Sequence, residues 1–380
     1  MASGARDQTG ACAEPTLKCA LFATPYVAPD GTLWVVWASS DQIYVARSVD
    51  AGRTFTSPVA VTRGPAGLDT GADQRPQLVV DRRNRVLVSY ATRDERFNGQ
   101  VLVATSTDGG ATFSAPRPIT DSPASQRFIT LALDASGDIF AAWIDKRNGA
   151  AALQAGSAFP GASLAYAWSS DGGQSFSPSR IAHDNLCECC RLGVAFVGAH
   201  RPVVLFRNIF SGERDHAVLT FEGETASGPA KRVSDDRWAI NACPHHGPSL
   251  AVGIDGAYHA AWFSGGGARR GLFYARSADS GRTFTAPRSI GAAGRQPARP
   301  YVLAAGDRLW LAWKEFDGER STVNVMLSRD GGISWDQPRA VASTASYSDH
   351  PLLIAREGAA FLSWLTRAEG YRVIALEPHS

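Results

Sequence analysis

The chain has 380 residues, 44% of them apolar, with 37 glycines, 21 prolines and a formal net charge of +2. That length allows two ordinary domains or one large closed β architecture, and the apolar content is enough for a sizeable core. No long charge run points to nucleic acid, and no run of about 18 apolar residues could cross a membrane as a helix.

The N-terminal stretch, Met1 to Gly10, lacks the apolar middle of a secretory signal. Residues 1–16 read as a flexible N-terminal segment. Cys12 and Cys19 lie close together in the chain. In an oxidising compartment they could form a disulfide; otherwise they are two half-buried thiols.

Beyond this point the sequence repeats. A turn followed by a strand ending in an aromatic recurs seven times. The final residues are Trp37, Tyr90, Trp143, Phe206, Trp262, Trp313 and Trp364, spaced by 53, 53, 63, 56, 51 and 51 residues. A period near 50 implies seven similar supersecondary units. The first unit shows four short apolar runs: Pro25–Pro29, Leu33–Trp37, Ile43–Arg47 and Val59–Thr62. Four short strands per unit, bounded by turn residues, predict an all-β fold, a seven-bladed β-propeller formed as one domain over 1–380. The seventh unit ends after the strand 371–376, with three strands. Leu17–Phe22 is expected to supply its fourth strand and close the ring, which would remove exposed sheet edges.

A second motif, Ser-x-Asp-x-Gly-x-Thr/Ser-Phe/Trp, begins at Ser48, Ser106, Ser169, Ser277 and Ser328. The Asp suits the turn amides and the Gly a positive φ. These five copies resemble the Asp box of the sialidase and BNR-repeat superfamily, and the repeats span nearly the whole chain. Asp boxes are structural, so Asp50, Asp108, Asp171, Asp279 and Asp330 are poor catalytic candidates. The fourth unit has no box. Either the protein is cytosolic or a signal has been removed; the resemblance favours the second, a periplasmic or secreted protein, and a monomer is expected.

That fourth unit starts at Asp184-Asn-Leu-Cys-Glu-Cys-Cys-Arg191, and the fifth at Asn241-Ala-Cys-Pro-His-His-Gly-Pro248. Together they hold four of the six cysteines. Counting back 16 residues from the strand-ending aromatics gives Cys190 and His246, the same place in adjacent units. In propellers of this superfamily that place is the mouth of the central channel. The same count puts Arg75, Arg127, Arg299 and His350 nearby, with Arg191 after Cys190. Cys187, Cys189, Cys190, Cys243, His245 and His246 are therefore candidate ligands for a metal ion, copper(I) first and zinc second. An extended Cys-x-Cys points both side chains the same way, and a turn would swing Cys190 in. The bland alternative is a disulfide from Cys187 or Cys189 to Cys243. His183, His200, His216, His259 and His379 read as surface or satisfied strand residues.

The resemblance also implies an exo-glycoside hydrolase. Sialidases carry Phe-Arg-Ile-Pro near the N-terminus; here the stretch is Phe22-Ala-Thr-Pro25, without the arginine. A carboxylate clamp would have to come from Arg75, Arg127 and Arg299, with Tyr347 as nucleophile and Asp73 or Asp349 as acid. The chain also resembles a bacterial sialidase-like subgroup with Cys-x-Cys-Cys and Cys-Pro-x-x-Gly-Pro motifs. A third reading is a protein-interaction propeller with disulfide-stapled loops. The expected partners are the metal ion and a small-molecule or protein ligand at the mouth, with no nucleic acid and no membrane span.

Overall fold

A computed structural model describes residues 15–377. Apart from one short α-helix, Arg147–Gln154, and a 3₁₀ turn, Leu17–Cys19, its regular structure is β. Four sheets have four strands, one has three and one has nine, each built mainly from antiparallel neighbours in chain order. The seven aromatic-ended strands are the second strands of their units. Their final aromatics, from Trp37 to Trp364, are all at most 1% exposed. These strands are near-continuous apolar runs, as in Leu33–Ser39, rather than alternating ones. A strand needs that pattern when neighbouring sheets cover both of its faces.

The first strands of the units touch one another in sequence. Ala23–Val27 meets Gln77–Val80, then come Gln126–Leu133, Gly193–Phe196, Ser249–Val252, Gln296–Ala305 and Leu352–Arg356, which meets Ala23–Val27 again. A cavity of about 240 Å³ runs between them, with wall residues from all seven strands or the loops leading into them. No sheet among the described residues closes on itself by hydrogen bonding.

The five Asp boxes join the third strand to the fourth in their units. In the first, Ser48 Oγ donates to Asp50 Oδ1 (2.7 Å), and Asp50 accepts from the Thr54 amide (2.9 Å) and hydroxyl (2.6 Å). The same set recurs at Asp108, Asp171, Asp279 and Asp330. These bonds, the threonine hydroxyl's first, hold Asp50, Asp108 and Asp279 below the usual carboxylate range. Each box glycine also seats its turn on the preceding unit. A Cβ on Gly110 (φ 83°) would lie 2.6 Å from Trp34, and one on Gly173 (φ 85°) 2.7 Å from Leu87. Gly52 does the same on Val373 of the last unit, which continues the order from the seventh unit back to the first.

Two expectations need correction. Leu17–Phe22 does not complete the last sheet, which has three strands. The amides of Cys19 and Ala20 turn back onto the Thr16 and Leu17 carbonyls, which takes these two donors away from strand pairing. Leu17 and Ala20 instead cover an apolar cluster with Tyr371 and Val373, capping the last strand. The wide spacing in the third unit holds the helix Arg147–Gln154, which the repeat pattern did not anticipate. Cys19 is disulfide-bonded; Cys12, His379 and residues 1–14 of the expected flexible segment lie outside the described residues.

Candidate functional site

The third and fourth units share the nine-stranded sheet through one pair, Leu186 opposite Asn208. The next amide, Cys187, donates to the Arg207 carbonyl (2.9 Å). This brings the outer strand of the third unit to the inner end of the fourth. The chain then turns at Glu188 and Cys189 and runs into Gly193–Phe196. The turn gathers three thiols, with Cys187 Sγ 3.7 Å from Cys189 Sγ and 3.3 Å from Cys190 Sγ. All three cysteines are at most 2% exposed.

The second stretch is held against the first by two devices. Arg207, 1% exposed, donates through Nη2 to the carbonyls of His246 (2.9 Å) and Phe263 (3.0 Å), and through Nη1 to that of Arg214 (2.9 Å). Gly247 lets the backbones meet: a Cβ there would fall 2.8 and 2.9 Å from the Arg191 carbonyl and amide. That explains the glycine in Cys-Pro-His-His-Gly-Pro. The result is a second group, Cys189, Cys243 and His245, whose ligand atoms lie within 4.8 Å of one another, as do those of Cys187, Cys189 and Cys190. Cys189 belongs to both groups. Cys243 and His245 are exposed, so the cluster runs from the interior to the surface.

His246 does not join. Its ring stacks on Phe263 (centroids 4.2 Å apart, 22° between planes). Burial, with Arg299, Arg207 and Arg191 nearby, pushes its pKa down to about 3. Cys187, Cys189, Cys190 and Cys243 are free thiols, so the disulfide-stapled reading is not what the structure contains.

The cluster's electrostatics are uneven. Hydrogen bonds from the Cys189 and Cys190 thiols, helped by Arg214 Nη1 at 3.3 Å, pull the Cys187 thiol's pKa down against its burial. The hydrogen bonds to Cys187 push Cys189 and Cys190 up. Buried Arg207 forms no salt bridge among the described residues, and its charge favours a thiolate at Cys190. Two guanidinium groups thus face a set of soft donors in which the balance favours a thiolate at Cys187.

Beside the cluster lies a network of arginines and aspartates. Arg299 Nη1 donates to both Asp73 oxygens (2.9 Å each) and to the His245 carbonyl, linking network and cluster. Arg191 donates to Asp73 (3.2 Å) and lies 3.4 Å from His350 Nδ1. Arg75 forks onto Asp349 (2.8 and 3.2 Å) and donates to the Ala23 carbonyl. Ala23, in the stretch compared above with Phe-Arg-Ile-Pro, donates its amide to Asp349 (3.0 Å). Arg127 turns away to Asp69 (2.8 Å). The three arginines expected to share one carboxylate are therefore each engaged by a different one. Tyr347 is half exposed, and Asp349 already accepts from Arg75, Ala23 and the His350 amide.

Arg127 and Arg299 owe their directions to the backbone. Phe128 (φ 55°) and Arg299 (φ 58°) are left-handed non-glycine residues at register breaks in their first strands. Such bulges re-aim side chains beside sites.

Sequence reasoning missed Lys314, whose Nζ donates to the Ser348 carbonyl and hydroxyl (3.1 Å each). A signal was present: the residue after the strand-ending aromatic is a cation only at Arg207 and Lys314. His183 bonds Asn208, His200 pairs with Asp138 and His259 bonds Tyr274. His216 departs from expectation, being buried with no hydrogen-bond partner on either ring nitrogen among the described residues.

No family model and no curated protein matches the chain. Among solved structures it is similar to an ulvan-degrading polysaccharide lyase, with 11% identity and a TM-score of 0.59 over 92% of this chain and 90% of that one. It is also similar to the polysaccharide lyase Uly1, with 8% identity and a TM-score of 0.58 over 93% and 90%. A leech intramolecular trans-sialidase gives 13% identity and 0.52 over 92% and 83%. At these identities the likeness is one of fold, a sialidase-like architecture. No helix among the described residues is long and apolar enough to cross a membrane.

Proposed function

We propose that the chain is a monomeric seven-bladed propeller of the periplasm or cell exterior that binds copper(I) at the channel mouth. Zinc is the second choice. The observation that carries this reading is the convergence of Cys187, Cys189, Cys190, Cys243 and His245 in two overlapping three-donor groups from adjacent units. The donors fit the ion: thiolates with an imidazole select soft or borderline metals, and few ligands per ion suit copper(I), whereas zinc prefers a closed set of four. Cys189, common to both groups, and Cys187, favoured as thiolate, would be the central ligands; Cys190, Cys243 and His245 complete the set. His246 would steady the loop through Phe263 rather than ligate. The bound ion would supply metal handling or a metal-dependent reaction at the mouth. The test is elemental analysis of protein purified without an affinity-metal step. Near-stoichiometric copper is expected, and the absence of any transition metal from protein produced with copper and zinc supplied would refute the reading.

The neighbouring network favours a second reading, a glycan-processing site. Arg75, Arg191 and Arg299 converge around Asp73 and Asp349 beside Tyr347, and the fold resembles those of a trans-sialidase and polysaccharide lyases. On this reading Arg191 takes the place foreseen for Arg127, and an incoming carboxylate would displace an aspartate from the arginines. Hydrolysis of a fluorogenic sialoside that is lost in Tyr347→Phe would support it; no turnover by the parent would remove sialosides as substrates.

A further inference from the structure

A groove of about 740 Å³ lies beside the mouth between the fifth and sixth units. Its volume suits a ligand of several ring units. Two phenylalanines, Phe263 and Phe316, line it, and Phe316 is 38% exposed. Its charged lining residues are Arg270, Arg295 and Lys314, with no acidic side chain among them. Arg295 is paired with Asp317 (2.5 Å). The Arg270 side chain has no hydrogen-bond or ion-pair partner among the described residues. Lys314 lies towards the channel, where its amine reaches Ser348. One wall is the run Gly291-Ala-Ala-Gly294, which leaves room for a bulky ligand.

We infer that this groove binds an anionic oligosaccharide, with a sugar face stacked on Phe316 and an acidic group held by Arg270. An exposed aromatic face receives the C–H face of a pyranose, and a guanidinium forks onto a carboxylate or sulfate. The cations are too few for nucleic acid, whose backbone presents a charge about every 3.4 Å along each strand. The inference rests on neither the metal cluster nor the arginine network. It adds a ligand class to the glycan reading and outlasts that reading's failure if the groove only binds.

The test is calorimetric titration of the whole chain with four probes. These are tetragalacturonate (carboxylated), a sulfated carrageenan tetrasaccharide, neutral cellotetraose and a single-stranded DNA octanucleotide. At least one charged tetrasaccharide should bind at least about tenfold more tightly than cellotetraose, with Arg270→Ala and Phe316→Ala each weakening it about tenfold. Both side chains face solvent, so circular dichroism should show both variants folded. The inference is overturned if neither charged saccharide binds, if cellotetraose binds as well, if both variants bind like the parent, or if the oligonucleotide binds more tightly than either saccharide.

Discussion

The two ends of the repeated unit follow different rules. At the hairpin end, five turns share one hydrogen-bond set, and each box glycine sits against the preceding unit or its own strands. At the mouth end, equivalent positions carry Gln74, Arg127, Cys190, His246 and Ser348, which share no chemistry. The hairpin end recurs because every unit has the same packing problem: a turn must satisfy its amides and clear its neighbour. The mouth end has no common packing problem, so its residues are free to serve a ligand. Phe128, His245 and Arg299 all hold positive φ at the mouth, and the surroundings must stabilise them.

The largest effect should come from breaking the hairpin end. Gly110→Val places a β-branched side chain at φ 83° against Trp34. It should cost about 3 kcal/mol or more, read as a lower midpoint in urea unfolding. An unchanged midpoint would mean that the boxes do not hold the units together.

A smaller effect belongs to the mouth. Arg214→Gln removes a charge 3.3 Å from Cys187 Sγ but no core contact. Copper(I) affinity should fall about tenfold while the urea midpoint barely moves, because residues that orient or tune ligands typically carry 10- to 100-fold. Equal affinity in competition with a chromophoric chelator would show that Arg214 does not tune the cluster.

The smallest effect is one of pH. Burial, followed by repulsion from Arg299, lowers the Lys314 pKa from 10.5 to about 8. The folded state therefore binds fewer protons than the unfolded state between about pH 8 and 10.5, and Lys314 makes stability rise with pH across that window. Below pH 8 its cost is constant. Lys314→Met should flatten the rise, measured as melting temperature against pH. An identical slope in both proteins would refute the buried, charged Lys314.

Much of the scaffold could be read from the chain because periodicity reports packing. The aromatic spacing located all seven second strands, and the Ser-x-Asp motif located five hairpins. The N-terminal segment was misread because Leu17–Phe22 has strand-like composition, while its backbone closes a tight turn and its side chains cap the last unit. At the mouth, repeat position placed Cys190 next to the second motif, since equivalent positions in adjacent units are neighbours in space. It could not distinguish His245 from His246, because that choice follows from a left-handed His245 and from the stacking of His246 on Phe263. Nor could it show that Arg127 leaves the network, because the bulge at Phe128 decides its direction.

The most direct test sets the two ends of the unit against each other in one sample. Parent and Cys189→Ser/Cys243→Ser proteins would be melted and titrated with copper(I) under anaerobic conditions. If the mouth is for ligand and the hairpins are for structure, the variant should melt within a few degrees of the parent and lose at least about 100-fold in copper(I) affinity. A variant that binds copper(I) as tightly as the parent would contradict the metal centre. One that keeps neither fold nor metal would mean that the cysteines hold the propeller together.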